Sequence, residues 1–230
     1  MNELTFEFKT RLFELGADLC GFGDISELPP ETRANLPIGV SVAVSIPDKI
    51  IQGITELPTQ EYSDFYDRAN KLLDSVVTKG AEYLTSIGYT AVAQTKAYVG
   101  SGGELHKTLL PHKTIATRAG IGWIGKCALL VTKERGSMLR LSSILTDTPL
   151  ETAQSINESF CGNCNACTEA CPGHAVSGRL WEKGMERETF FDAEKCNKTA
   201  KERSKRGFGG EKSICGKCIE VCPYSRRAFT

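Results

Sequence analysis

The sequence predicts an α+β protein in two parts, a mixed α/β domain over residues 1–155 and a small cysteine-rich module over residues 156–230. Three observations carry this. Cysteine usage is lopsided, with only Cys20 and Cys127 before residue 160 and eight cysteines between Cys161 and Cys222. The first part alternates helical and extended apolar patterns, as layered α/β folds do. The second part repeats itself: CGNCNACTEACP from residue 161 is echoed by CGKCIEVCP from residue 215, which implies an approximate two-fold module.

The elements follow in order. Leu4, Phe6, Phe8, Leu12, Phe13 and Leu15 form an approximate helical stripe closed by Gly16, and DLCGFGDI then reads as a short strand. GVSVAVSIP is β-branched and bounded by Gly39 and Pro47, the pattern of a buried strand. From Glu61 to Ile87, Tyr62, Phe65, Ala69, Leu72, Leu73, Val76, Ala81 and Leu84 recur at three- and four-residue intervals, which is a long helix. YTAVAQ is a strand, and PHKTIATRAG, with Pro111 first and Gly120 last, is a helix. CALLVT and SMLRLSSILTD read as two further strands separated by the turn-prone KERGS.

Composition excludes some classes of partner. Lys+Arg and Asp+Glu are equal at 28 each, so no global field draws nucleic acid or a membrane surface, and such a partner needs a local patch. The first residues, MNELTFEFKTRLFELG, are amphipathic and charged, and no apolar run reaches membrane-spanning length. A soluble cytoplasmic protein with no membrane partner is expected. In a reducing cytosol ten cysteines are metal ligands or reactive thiols rather than a disulfide framework.

The spacing CxxCxxCxxxCP selects among metals. A cubane 4Fe-4S cluster needs four thiolates; CxxCxxC supplies three corners of one cube, and the cysteine before proline serves the other. One cluster is therefore assigned to Cys161, Cys164, Cys167 and Cys222, and a second to Cys171, Cys196, Cys215 and Cys218. The second motif lacks a third CxxC cysteine of its own and borrows Cys196. Zinc is the competing reading, since paired CxxC motifs also build zinc ribbons, but eight cysteines balance two clusters. Such a module specifies electron transfer, not a reaction.

Upstream, HKTIATRAGIGWIGKCALLVTKERGS places Gly120, Gly122 and Gly125 at a helix-to-strand junction where backbone can approach a planar or phosphate-bearing ligand, with Trp123 offering a flat face. Structural turns give the same glycines. AGIGWIGKCALLV, then GS, then ILTDTPL, then CxxCxxCxxxCP, a lone cysteine and CxxCxxxCP, in that order, resemble the epoxyqueuosine reductases and, more distantly, the reductive dehalogenases. The resemblance implies a cobalamin in a nitroreductase-like α/β domain, fed with electrons by two 4Fe-4S clusters in a ferredoxin-like domain, with the hard chemistry carried by the cofactor. It maps cofactor contacts onto Gly120, Gly122, Trp123, Gly125 and Lys126, with Asp147 of ILTDTP beside them. Flavin is the alternative occupant of such a domain.

The family carries an aspartate proton donor shortly before the glycine segment; here the corresponding position falls at His106, which can donate a proton near neutral pH and is the expected catalytic residue. Relatives continue into a helical-repeat region that helps grip tRNA, whereas this sequence stops at Thr230, so a small-molecule substrate is weighed beside tRNA. A reduced ferredoxin or flavodoxin-type protein is the expected electron donor. Two other readings compete: an electron-transfer protein without substrate chemistry, and a corrinoid-reducing protein serving another enzyme. Cys127 and Cys20 read as small buried hydrophobes, and His112 as a structural or solvated side chain. Lys198, Lys201, Arg203, Lys205 and Arg206 read as a solvated charged loop between Cys196 and Cys215, with RNA phosphate or an acidic donor as its alternative contact.

Overall fold

In the computed structural model, which describes residues 2–100 and 108–229, the chain forms two compact units. The first contains residues up to Ser45, Arg68–Ile121 and Arg140–Ile156; the second contains Ile46–Asp67, Gly122–Leu139 and the chain from Asn157 onward.

The first unit is built on a sheet. α1 (Glu3–Glu14) begins at Asn2, whose side chain accepts the Thr5 N–H, and buries Thr5, Phe8 and Leu12. Phe6 and Phe13, expected in the same stripe, are 60% and 41% exposed because the helical turn carries them away from Phe8 and Leu12. β1 (Leu19–Asp24) pairs antiparallel with β2 (Ile38–Ser45), Leu19 facing Ala43 and Asp24 facing Ile38. The short α2 (Asp48–Gln52) precedes α3 (Gln60–Ser86), the long helix that its periodicity predicts; its residues from Arg68 onward count with this unit.

β3 (Ala91–Ala93), α4 (Lys96–Gly100) and α5 (His112–Arg118) follow. α5 starts after Pro111 and is followed by Gly120 at φ +65°, the proline-first, glycine-after pattern of its sequence. The sheet order is β1-β2-β6-β3, with β6 (Leu139–Thr146) antiparallel to β3. Phe8 stacks on Tyr83 at 6.0 Å and meets Phe22 at 6.1 Å, tying α1, α3 and β1 together. Ile25, Leu36, Leu110, Ile115 and Leu145 close the core around α5.

The second unit departs from the expected layout in three ways. The stretch 127–132, read as a strand, contributes only β5 (Leu130–Val131), which pairs antiparallel with β4 (Trp123–Ile124) in a separate two-stranded ribbon. A tight turn interrupts it: the Gly125 N–H donates to the Leu129 carbonyl (2.9 Å), the Ala128 N–H to the Gly125 carbonyl (2.8 Å), and Ala128 sits at φ +59°. The basic stretch read as a loop is a helix. After the one-turn α6 (Ala166–Glu169), α7 (Ala193–Phe208) is capped at its start by Asp192, which accepts the Lys195 N–H (2.9 Å), and stopped by Gly209 in the left-handed region. The one-turn helices α8 (Lys217–Glu220) and α9 (Pro223–Arg226) complete the chain.

The third departure concerns the domain boundary. The last crossing between units lies at Ile156/Asn157, beside the expected cut at residue 155, but Ile46–Asp67 and Gly122–Leu139 fold with the cysteine-rich tail. The tail is too short and too polar to bury a core alone, as small domains generally are. Its Ile214 and Ile219 pack with Ile46, Ile50, Ile51, Ile54, Tyr62 and Met138, all at most 6% exposed. Trp181 and Phe190 pack likewise on Ile124 and Ala128. Burial of this order contributes about 1.5–3 kcal/mol per large side chain. Among the described residues no helix is long and apolar enough to cross a membrane.

Met138 is fully buried in the second unit although it lies outside the tail. Met138→Ala should destabilise that unit by about 2–5 kcal/mol, seen as earlier proteolytic cleavage within the tail than in the parent protein.

Candidate metal centre

The ten cysteines are all free thiols. Two local structures repeat around them. Asn165 precedes α6, whose second residue is Cys167, with Cys164 three residues before it and Cys171-Pro172 after the helix. Gly216 precedes α8, whose second residue is Cys218, with Cys215 three residues before it and Cys222-Pro223 after the helix. The repeat therefore aligns Cys164, Cys167 and Cys171 with Cys215, Cys218 and Cys222, and leaves Cys161 to correspond with Cys196 of α7. Pro223 opens α9 at a position where a missing N–H costs nothing.

Cys161, Cys164, Cys167 and Cys222, the first assigned set, line one cavity. Cys218, Cys127 and Lys126 line it too. Burial holds the Cys222 thiol above its ordinary value, and the Cys161 sulfur beside it adds to the rise. In the second set, burial pushes Cys196 up to about 11, with Cys171 and Cys215 near enough to raise it further. Neutral thiols are the forms that burial favours; an electron-poor metal reverses that preference and draws out thiolates. Among the described residues no three or more His, Cys, Asp or Glu side chains form a group that could hold a metal ion. The first set is instead distributed around a cavity, the arrangement that a multi-iron cluster needs and a lone zinc does not.

The sulfurs receive hydrogen bonds. The Trp123 Nε1–H donates to Cys161 Sγ (3.4 Å) and the Ala175 N–H to Cys171 Sγ (3.3 Å). Trp123, 1% exposed, is wedged edge-on between Tyr224 (5.0 Å) and Phe160 (5.3 Å). Its ring is a wall beside Cys161 rather than a free platform. The Lys126 Nζ donates to the Cys164 carbonyl (2.9 Å) and to Asn165 Oδ1 (3.1 Å), although Lys126 is only 4% exposed.

Cys127 is buried, as its sequence context predicts. Its thiol also lies within hydrogen-bonding reach of Cys167 of one set and Cys218 of the other. The bond with Cys167 draws the Cys127 pKa down, but contact with Cys218 and burial leave it well above the usual thiol range. Donation of its S–H to Cys127, then burial, raises Cys167 as well. Spacing gave no signal for this contact; only the β4–β5 turn creates it.

The remaining residues expected to touch a cofactor have partners within the chain. Gly120, in the first unit, has positive φ, and a Cβ there would lie 2.9 Å from the Gln154 carbonyl oxygen. A Cβ on Gly122 would lie 2.2 Å from the Val131 carbonyl oxygen, and one on Gly125 would lie 2.7 Å from a Val131 methyl carbon. Asp147 is exposed and accepts the Thr90 N–H (2.7 Å) at the end of the β3–β6 pairing. His106 lies outside the described residues. His112 Nδ1 contacts Ser143 Oγ (2.7 Å) in the first unit, where burial and then the Arg140 charge lower its pKa to about 4, so it is neutral at neutral pH.

A layered helix-and-sheet unit with a tail of paired cysteine motifs defines a class, the iron-sulfur proteins with an appended α/β domain. Residues 160–225 match the family of 4Fe-4S double cluster binding domains. In sequence the chain resembles epoxyqueuosine reductases. It is 35% identical over 122 residues to that of Synechococcus sp. (strain CC9605), covering 53% of this chain and 38% of the relative. It is 29% identical over 173 residues to that of Aliivibrio fischeri, covering 72% and 41%. The chain thus spans about two fifths of the length of these curated relatives.

Its fold is that of two groups of solved structures. A catabolic reductive dehalogenase, NpRdhA, in complex with 3-bromo-4-hydroxybenzoic acid, superposes with TM-score 0.74 at 20% identity over 95% of this chain and 31% of its own. A selenomethionine-labelled epoxyqueuosine reductase superposes with TM-score 0.62 at 19% identity over 97% and 66%.

If the repeat assigns Cys196 correctly, Cys196→Ala should cost the same share of bound iron as Cys215→Ala, about half. Iron analysis of the two variants checks it.

Proposed function

We propose that the chain is an iron-sulfur reductase of the epoxyqueuosine reductase type, carrying two 4Fe-4S clusters in its second unit. The observation that carries this reading is the pair of interleaved thiol sets: Cys161, Cys164 and Cys167 share a cavity with Cys222 of the other motif, and Cys171 faces Cys196 and Cys215. Interleaving of this kind is what two adjacent cubanes require of one chain. The chain's own part is to supply eight thiolates, to hydrogen-bond them through Trp123 and Ala175, and to keep water from one flank with the Trp123, Tyr224 and Phe160 rings.

Electrons come from a reduced carrier of the ferredoxin or flavodoxin kind and leave for an acceptor associated with the first, nitroreductase-like unit. Likeness to the dehalogenases, one of them described as suggesting a mechanism for B12-dependent dehalogenation, favours a corrinoid. A corrinoid, when bound, supplies a strongly nucleophilic reduced cobalt. The residues mapped to it do not by themselves form its cradle, since the glycines, Trp123, Lys126 and Asp147 are engaged within the chain. The substrate is an epoxide-bearing modified nucleoside in tRNA, as in the relative solved with an epoxyqueuosine-modified tRNA stem loop, or a small molecule of like chemistry.

That same engagement favours a second reading, an electron-transfer protein that reduces a corrinoid or another acceptor held elsewhere. The two separate on one preparation. Protein purified without oxygen should carry about eight irons per chain; stoichiometric cobalt and turnover of epoxyqueuosine-containing RNA mark the reductase, and iron alone without turnover marks the carrier. Flavin in place of cobalt would replace the corrinoid assignment. Zinc in place of iron refutes both readings. Cys164→Ala should lose one cluster, about half the iron, and abolish electron delivery; unchanged iron and activity would overturn the ligand set.

A further inference from the structure

Lys126 is a buried cation whose hydrogen-bonding partners are neutral. It is 4% exposed, and its ammonium donates to a carbonyl and a side-chain amide oxygen of the Cys164-Asn165 loop. Among the described residues no carboxylate pairs with it. An ammonium removed from water costs several kcal/mol unless negative charge compensates it. The groups able to carry that charge are the thiolates that line the same cavity as Lys126: all four of the first set, Cys161, Cys164, Cys167 and Cys222, and of the second set Cys218 alone.

We propose that Lys126 is a positioning residue that raises the reduction potential of the cluster held by Cys161, Cys164, Cys167 and Cys222 relative to the other cluster, fixing the order in which the two fill with electrons. The proposal rests on the reading that this thiol set holds a cluster. Reduction adds one electron and no proton, so the reduced cluster carries one more negative charge than the oxidised one. A fixed cation beside the ligand loop therefore stabilises the reduced form more, and low dielectric around a buried site enlarges the difference. The Trp123 N–H on Cys161 acts in the same direction, as a hydrogen bond to sulfur rather than a charge. The second set has Ala175 N–H on Cys171 as its counterpart, a neutral donor.

The test is a dithionite titration of anaerobically purified full-length protein followed by electron paramagnetic resonance, with iron content measured in parallel. Lys126→Gln removes the charge and keeps an amide donor; Lys126→Arg keeps the charge. In Lys126→Gln one of the two midpoints should fall, so that at the parent midpoint the reduced-to-oxidised ratio drops at least about tenfold, about 59 mV for one electron. The other midpoint should not move, and Lys126→Arg should stay within a small fraction of that shift. Lys126→Gln with full iron and both midpoints unmoved overturns the proposal. So does Lys126→Arg moving as far as Lys126→Gln. If Lys126→Gln sheds half its iron, retention of iron and midpoint by Lys126→Arg supports the charge; equal loss in both variants overturns it. Parent protein without any cluster signal overturns the cluster reading itself, a different outcome from all of these.

Discussion

A tail with eight cysteines has little room for large apolar side chains, and this shortage governs the second unit. Ile214 and Ile219 cannot bury themselves, so the chain lends them Ile46–Ile54, Tyr62 and Met138, while Trp181 and Phe190 settle on Ile124 and Ala128. The loan brings Gly122–Leu139 into the unit and folds it into the β4–β5 ribbon. From that ribbon come Trp123, Lys126 and Cys127, which meet the cysteine motifs from outside the tail.

Packing and electrostatics then reinforce each other. Gly122 lets the ribbon close on the Val131 carbonyl, and that closure places the Trp123 indole within reach of Cys161. The next turn buries Lys126 against the Cys164 carbonyl and sets the Cys127 thiol between Cys167 and Cys218. A helix with good caps but almost no apolar face, α7, delivers Cys196 to Cys171 and Cys215. Each contact is modest alone, about 1 kcal/mol for a typical hydrogen bond. Together they fix where every sulfur points.

What the sequence discloses depends on the range over which each decision is made. Cysteine spacing is local, so the two-fold repeat of the cysteine motifs is legible, and α6 and α8 repeat it in the fold. The long helix is legible because its apolar period runs unbroken through Leu73, Val76 and Leu84. α7 escapes notice because its exposed face is lysine and arginine, and only Asp192 and Gly209 mark its ends. The role of GIGWIGK is illegible for a different reason. Glycines that admit a ligand and glycines that admit the chain's own backbone look alike until tertiary contacts choose, and here the Val131 and Gln154 carbonyls occupy the space. The two upstream segments that join the tail go unread as well, since Ile46–Asp67 has no cysteine to announce it and Gly122–Leu139 has only Cys127.

The chain passes between its two units five times, at Ser45/Ile46, Asp67/Arg68, Ile121/Gly122, Leu139/Arg140 and Ile156/Asn157. Such threading bears on biosynthesis and on inheritance alike. On the ribosome, Ile46, Ile50, Ile51 and Ile54 emerge long before Ile214 and Ile219 exist to cover them, so this part of the apolar surface waits for its cover until the second cysteine motif is being made. In evolution, a cysteine-rich cassette cut out at residue 157 would leave half of its core behind, which ties gain or loss of the tail to compensating change in two distant stretches of the gene.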